Sequence, residues 1–294
     1  MKELFSAGGH WFKGNLHMHT TCSDGSLSPK AAAAIYKNAG YDFIALTDHW
    51  KQSAGSSETG FLELPGGEWD IGDGVHFPVF HIVGVGMEAP VDLIHSPSLH
   101  PQQVIDAIDA AGGLPILAHP AWSVTDPADC MPLRGLCGAE VYNTVSGLPW
   151  NNRPDSSLYF DIWASKRKLM RCMAADDSHG YAGEQTRSSI MVRAQALTAP
   201  AIKEAIAAGE FYASQGPLFR SVAVSDDAVE VECEGAETIV FQSNTVWCRD
   251  RVATGGASFA RYEIKPSDRY VRIELIDAQG NRAWSSPFFV NEDR

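Results

Sequence analysis

Between about residue 14 and residue 217, short apolar runs alternate with amphipathic stretches, and this alternation constrains the fold of the 294-residue chain more than any other feature. Residues 16–20 read as a strand. Ser28-Pro29 then supplies a cap and a first-turn proline for a helix that stops at Gly40. Further strands are expected at 42–47, 77–86, 114–118, 139–142, 169–174 and 189–192. Helices are expected at 101–111, 156–166 and 198–208, the last closed by Gly209. Strands alternating with helices argue for a parallel sheet, open or closed. After Gly216-Pro217 helical periodicity stops and short runs at 229–233, 238–242 and 270–276 take over. In the last of these, Val271, Ile273 and Leu275 alternate with Arg272 and Glu274, the period of a half-buried strand. Residues 1–217 are therefore expected to form one α/β unit, and 218–294 a small antiparallel sandwich-like domain.

Composition narrows the function classes. A net charge of −13, with no basic stripe, argues against nonspecific nucleic-acid binding, where phosphate neutralisation dominates affinity. No apolar run approaches the ~18 residues of a membrane span. Residues 1–15 lack a charged-then-apolar secretory pattern, so a cytoplasmic protein is expected. The six cysteines form no C-x-x-C pair and read as reduced, structural thiols.

The chemistry collects where the strands end. His17 and His19, two apart, fall on one face of a strand, and Asp24 follows in a turn. Asp48 and His49 close the second strand. Glu68 follows Gly66-Gly67, and His81 lies in the next strand. His119 follows 114–118, while Asp177 and His179 follow 169–174. In a barrel or wound sheet this is the edge at which active sites assemble. Imidazole and carboxylate suit zinc, manganese or iron, and the absence of a thiolate cluster argues against a structural zinc site. A single strand-end histidine is more often a satisfied polar group, but H-x-H, D-H and D-x-H each closing a separate strand point to a shared metal site.

His17-x-His19-Thr20-x-x-Ser23-Asp24-Gly25, Thr47-Asp48-His49, Gly67-Glu68, His81-Ile82-Val83-Gly84, Ala118-His119-Pro120 and Asp177-x-His179 resemble, in order and spacing, the polymerase and histidinol phosphatase (PHP) superfamily. The resemblance covers residues 14–217 and implies a distorted (β/α)7 barrel holding two or three divalent ions (Zn, Mn or Fe). It implies one ion on His17, His19, Glu68 and Asp177, and a second on Asp24, His49 and His179. A third would share Glu68 and add His81 and His119. Asp48 would orient a ligand. Asp176 departs from the family pattern, in which a small residue commonly precedes the D-x-H. The end of the chain, from Gly209 to Pro217 and around Trp284, is similar to a PHP subgroup with a β appendage, some of whose members hydrolyse esters or carbamates.

The resemblance implies metal-assisted hydrolysis of a phosphoester, with small phosphomonoesters or nucleotides as substrates and an oligonucleotide as a further partner class. Ester, amide or carbamate hydrolysis at the same ions is the alternative enzyme reading. A noncatalytic metal-binding interaction module is a third, disfavoured by the complete ligand set. An arginine fork commonly holds a phosphoryl group, and Arg187 and then Arg153 are placed for it, although a solvated surface role suits either. His76 rivals His81 in its closeness to Glu68, while His95 and His100 suit solvated or capping roles. Trp122, Trp150 and Trp163 read as packing residues, with Trp122, next to His119-Pro120, positioned to wall a pocket. Cys22 reads as a small packing group.

Overall fold

The computed structural model of the chain describes residues 2–5 and 8–291. One sheet is five-stranded, in the order Cys172–Ala175, Gly138–Asn143, Leu114–Leu117, Phe80–Val85, Gly66–Ile71. Its pairings are parallel except at Phe80–Val85, which is antiparallel to both neighbours. The expectation of a parallel sheet is thus corrected at Phe80–Val85, and again at Ser189–Ala194, which runs antiparallel to both its neighbours. No helix separates Gly66–Ile71 from Phe80–Val85, and antiparallel neighbours need none. The reversal also brings the beginning of Phe80–Val85 to the edge where its parallel neighbours end.

A second sheet carries His10–Asn15, Phe43–Ala45 and Phe61–Leu64 as parallel neighbours. It continues from His10–Asn15 through Ser189–Ala194, Phe211–Ser214 and Arg282–Trp284 to Tyr270–Ile276 and Thr238–Gln242. One sheet therefore crosses the point near residue 217 at which the sequence changes character. The N-terminal segment crosses it as well. Lys2–Glu3 pairs with Leu218–Val224, and Phe5 is buried against Tyr212 and Phe219. Two isolated parallel bridges, Met18–Ser178 and His49–Glu68, tie the first two sheets together at one edge. Among the described residues the ladders alone do not close a barrel.

Several expectations shift. The strand expected at 16–20 is instead His10–Asn15, with His10 as its opening residue and 16–20 as its extension. Gly66–Ile71 was not expected as a strand, because a glycine pair reads as a turn. Here the glycines permit close approach. A Cβ on Gly66 would stand 2.6 Å from the Leu46 carbonyl oxygen, and one on Gly67 2.8 Å from the Trp69 ring. The helices lie close to expectation. Ser28 caps Pro29–Asn38, Thr198 caps Ala199–Ala208, and Gly209 ends the latter at φ +83°. His100 caps Pro101–Ala110, accepting from the Gln102 N–H at 3.1 Å. No helix among the described residues is long and apolar enough to cross a membrane.

Both faces of the central strands are buried, which is why their sequences read as continuous apolar runs. In Phe80–Val85, Phe80 and Ile82 join one core cluster while Val83 and Val85 join another. The same holds, unexpectedly, for Tyr270–Ile276. Val271, Ile273 and Leu275 enter the C-terminal core, but Arg272 and Glu274 are also buried, at 1% and 2% exposure. Their face packs against helix Ser157–Ser165. Asp161 on that helix accepts from Arg272 Nε at 2.9 Å and Nη2 at 2.6 Å, and from the Tyr270 hydroxyl at 3.0 Å. Arg272 Nη1 donates to Glu274, which also pairs with Arg282 at 2.8 Å. Removing one partner of a buried ion pair leaves the other uncompensated, at a cost of about 3 kcal/mol. Asp161→Ala should therefore lower the urea midpoint by an amount corresponding to about 2–3 kcal/mol, because Glu274 still faces Arg272. Its metal content should not change. An unfolding curve identical to wild type would show that this contact does not join helix and sheet.

Candidate metal centre

Extended chain after His10–Asn15 carries His17 and His19 to the bridged edge. Met18 is pinned between them by its N–H to Thr47 Oγ1 at 3.0 Å and by the Thr47 N–H to its carbonyl at 2.9 Å. The flanking imidazoles consequently turn to the same side. Their Nε2 atoms stand 3.2 Å apart. Each lies 3.2 Å from Glu68 Oε2 and 3.1 Å from Asp177 Oδ1. Asp177 Oδ1 is buried and accepts no hydrogen bond from the protein. Ligand atoms around a tetrahedral ion with ~2.0–2.1 Å arms are about 3.3 Å apart. The two imidazole nitrogens keep close to that spacing from each other and from both carboxylate oxygens, which suits a cation where the protein leaves a buried oxygen unsatisfied.

Two further groups adjoin the first. Glu68 Oε1 is 2.9 Å from His81 Nδ1 and 3.5 Å from His119 Nε2. Asp24, half-exposed, reaches His179 Nε2 at 3.4 Å, His49 Nε2 at 3.8 Å and His19 Nδ1 at 3.4 Å. His17, His19 and Glu68, then Glu68, His81 and His119, then His19, Asp24, His49 and His179, each bring ligand atoms within 4.8 Å of one another. All nine expected ligands thus meet at one edge. His76 does not join them; it is exposed and pairs with Asp73 at 3.0 Å.

The outer ring nitrogens fix which atom faces inward. His17 Nδ1 is 2.7 Å from Glu140 Oε1, His119 Nδ1 3.0 Å from Ser123 Oγ, and His179 Nδ1 2.8 Å from the Asp177 carbonyl. His49 Nδ1 lies 2.9 Å from Asp70 Oδ1. In the neutral rings a proton on each of these nitrogens leaves the Nε2 lone pair for an ion. Glu140 does more. Its Oε2 accepts from the His119 backbone N–H at 2.9 Å and from Asn143 Nδ2 at 2.8 Å, and Asn143 also donates to Asp177 Oδ2 at 3.1 Å. Glu140, Asn143 and Asp70 carry no motif and were not expected. The usable signal for Glu140 was a carboxylate inside an otherwise apolar strand. His119 at φ +26° and Asp177 at φ +55° occupy strained backbone, a cost of order 1–3 kcal/mol each. The His119–Glu140 bond, and the Asp177 N–H to the His17 carbonyl at 2.8 Å, hold them there.

Asp48 touches no substrate-facing atom. It accepts from the Thr20 N–H and hydroxyl at 2.8 and 2.7 Å and from the Ser23 N–H and hydroxyl at 3.1 and 2.8 Å, fixing the turn that delivers Asp24. Asp176, buried beneath the site, accepts from Tyr36, Thr144 and the Thr186, Arg187 and Ser188 N–H groups. Cys22 is exposed rather than packed. Asp24, His49, Glu68, His81, His119, Asp177 and His179 line a cleft of about 280 Å³ together with Trp122, Val145, Ser146 and Asn151. Neither Arg187 nor Arg153 lines it. Both are exposed, and Arg187 lies over the Trp150 ring at 5.8 Å.

No protein-family model and no curated protein sequence matches the chain. Solved structures do. A two-domain protein from Bacteroides vulgatus, containing a predicted PHP-like metal-dependent phosphoesterase, superposes with a TM-score of 0.54 at 14% identity, over 96% of this chain and 95% of that one. The chain shares the fold of that protein over nearly its whole length. A candidate metal-dependent phosphoesterase from Bifidobacterium adolescentis (TM-score 0.41, 18% identity) covers 57% of this chain and 87% of its own. An amidohydrolase from Chromobacterium violaceum, with sulfate bound and no metal, gives 0.38 and 15% over 58% and 89%. Within the fold shared with the first of these, the bridged edge is where this chain gathers its imidazoles.

Charge balance sets the pH behaviour of the metal-free site. Burial opposes charge on His17, but Asp177, Glu68 and Glu140 outweigh it and hold its pKa well above the usual imidazole value. His19 is likewise opposed by burial, yet Asp177 and Glu68 raise it to about 9. Burial works against charge on Glu68 and Asp177 too, but His17, with His81 for Glu68 and His19 for Asp177, drives both well below the usual carboxylate range. A raised imidazole stabilises the fold below its unfolded pKa of about 6.5 and loses that contribution as pH rises through the folded value. The depressed carboxylates stabilise above about pH 4 and fail below it. Chelator-treated protein should therefore melt at progressively lower temperature from about pH 6.5 to 9, and saturating divalent metal, which displaces those protons, should remove the decline. A flat metal-free profile over that window would contradict the charge assignment. Separately, Glu140→Gln should weaken metal affinity by roughly 10–100-fold in competition titrations, with secondary structure retained.

Proposed function

We propose that the chain is a metal-dependent hydrolase that cleaves phosphoesters, small phosphomonoesters or nucleotides, at two or three divalent ions (Zn, Mn or Fe). The observation that carries this reading is the unsatisfied Asp177 Oδ1, 3.1 Å from the Nε2 atoms of both His17 and His19, which in turn stand 3.2 Å from Glu68 Oε2. On this reading His17, His19, Glu68 and Asp177 hold one ion, Asp24, His49 and His179 a second, and Glu68, His81 and His119 a third. We also read the strand segments joined by the ladders and the two bridges as a distorted (β/α)7 barrel, with residues 218–294 as an architectural β domain.

Bound ions supply a water activated near neutral pH and positive charge opposite the oxygens of the scissile group. Water adds across the P–O ester bond, giving phosphate and an alcohol that takes the second proton of that water. The chain's own residues hold this arrangement. Glu140 keeps the His17 proton on Nδ1, Ser123 does the same for His119, and Asp48 holds the turn bearing Asp24. Val145 and Trp122 narrow the access of bulk water to the cleft. Ester or carbamate hydrolysis is the second reading. It is favoured by one observation: no lysine or arginine among the described residues lines the cleft, so nothing but the ions would hold an anionic group.

Protein purified without chelator should contain more than one equivalent of Zn, Mn or Fe and should turn over phosphomonoesters. Asp177→Asn should abolish turnover and lower metal occupancy while leaving the circular dichroism spectrum close to wild type. Full metal content with activity in Asp177→Asn would sink the ligand assignment. Turnover of neutral esters without phosphoesters would replace the first reading by the second.

A further inference from the structure

Trp122 is a large apolar side chain left 37% exposed at the mouth of the cleft. The turn that carries it is fixed from both ends. The Ser123 N–H bonds the His119 carbonyl at 3.1 Å, the Thr125 N–H bonds the Pro120 carbonyl at 3.1 Å, and the buried Thr125 hydroxyl bonds the Val79 carbonyl at 3.1 Å. The indole stands edge-on to two ligand rings, His119 at 4.9 Å and His81 at 5.9 Å between centroids, each at 81°. The turn thus holds Trp122 beside the cleft, with its indole against both imidazoles. Val145, Ser146 and Asn151 line the same cleft. Ser146 is itself locked, its N–H and hydroxyl donating to Asn143 Oδ1 at 3.1 and 2.8 Å.

A rigid aromatic wall beside a polar floor sorts substrates by the group attached to the scissile bond. A planar ring gains stacking or edge contact with the indole, whereas a small alkyl group covers little of it. Size permits this: a cavity of about 150 Å³ is enough for benzene, so about 280 Å³ accommodates one ring and the reacting group.

We infer that Trp122 is a specificity-determining residue that selects substrates whose leaving group is a single aromatic ring. This rests on the hydrolase reading above. Water adds across the P–O(aryl) bond, phosphate and a phenol leave, and no oxidant or reductant is needed.

The test is equilibrium binding of phenylphosphonate and methylphosphonate, non-hydrolysable probes that differ only in the ring, to the metal-loaded full chain. Wild type should bind the phenyl probe roughly tenfold more tightly, the scale of one aromatic stacking contact. Trp122→Ala should erase that ratio and Trp122→Phe should keep most of it, with metal content and methylphosphonate affinity unchanged. Equal wild-type affinity for the two probes, or an equal loss of both in Trp122→Ala, overturns the inference. KM values for phenyl acetate and methyl acetate give the same contrast for a neutral substrate. A Trp122-dependent ring preference in the esters, with no phosphonate binding, supports the role of Trp122 and overturns the phosphoester reading instead. No ring preference in either pair overturns the role of Trp122.

Discussion

Burying a carboxylate costs several kcal/mol unless opposite charge comes with it, and at Glu68 that requirement organises one whole edge of the fold. Glu68 is 1% exposed, and the imidazoles within reach of its oxygens arrive from separate places in the chain. His17 and His19 come from beyond one strand, His49 from beyond the next, His81 from the start of a reversed strand, and His119 from the end of a fourth. Bringing them to a common point requires the sheets to be tied there, which the bridges at Met18–Ser178 and His49–Glu68 accomplish. The strained conformations at His119 and Asp177 follow from the same demand.

Beneath this layer lies a second set of carboxylates with a different character. Asp48, Glu140 and Asp176 are buried, and each spends both oxygens on hydrogen bonds to the protein. Asp176, pushed up to about 6 by its burial despite those bonds, is anchored to the loop of residues 186–188 rather than to any imidazole. The contrast divides the polar groups by role. Saturated carboxylates hold backbone and ring orientation, and the unsaturated Asp177 oxygen marks where something outside the chain is needed.

The part of the site that was legible in sequence is the part that repeats. H-x-H, D-H and D-x-H place ligands at strand ends, where side chains of one spacing share one face. Glu140 and Asn143 escaped because they sit at isolated positions within and at the end of a single strand, and only their spatial neighbours give them meaning. Arg187 and Arg153 were attractive by their distance along the chain from His179 and from a helix, but chain distance says nothing about which side of Trp150 a side chain takes. The strand Gly66–Ile71 was hidden because glycine marks turns and close contacts alike. Arg272 and Glu274 mimic a solvent face by their period, and no local pattern reveals that helix Ser157–Ser165 covers them.

Lys2–Glu3 forms its ladder with Leu218–Val224, so the first described strand has no partner until more than two hundred further residues have been added. At about 5–20 residues per second the interval is roughly 10–40 s. The edge of Phe211–Ser214 then awaits Arg282–Trp284 for about 70 further residues, roughly 3–14 s at the same rate. On the ribosome, then, the ligand-bearing strands are complete well before the sheet that frames them is. The nascent chain carries one unpaired β edge after another, and it is in that window, rather than in the finished protein, that it is most exposed to pairing with the wrong strand.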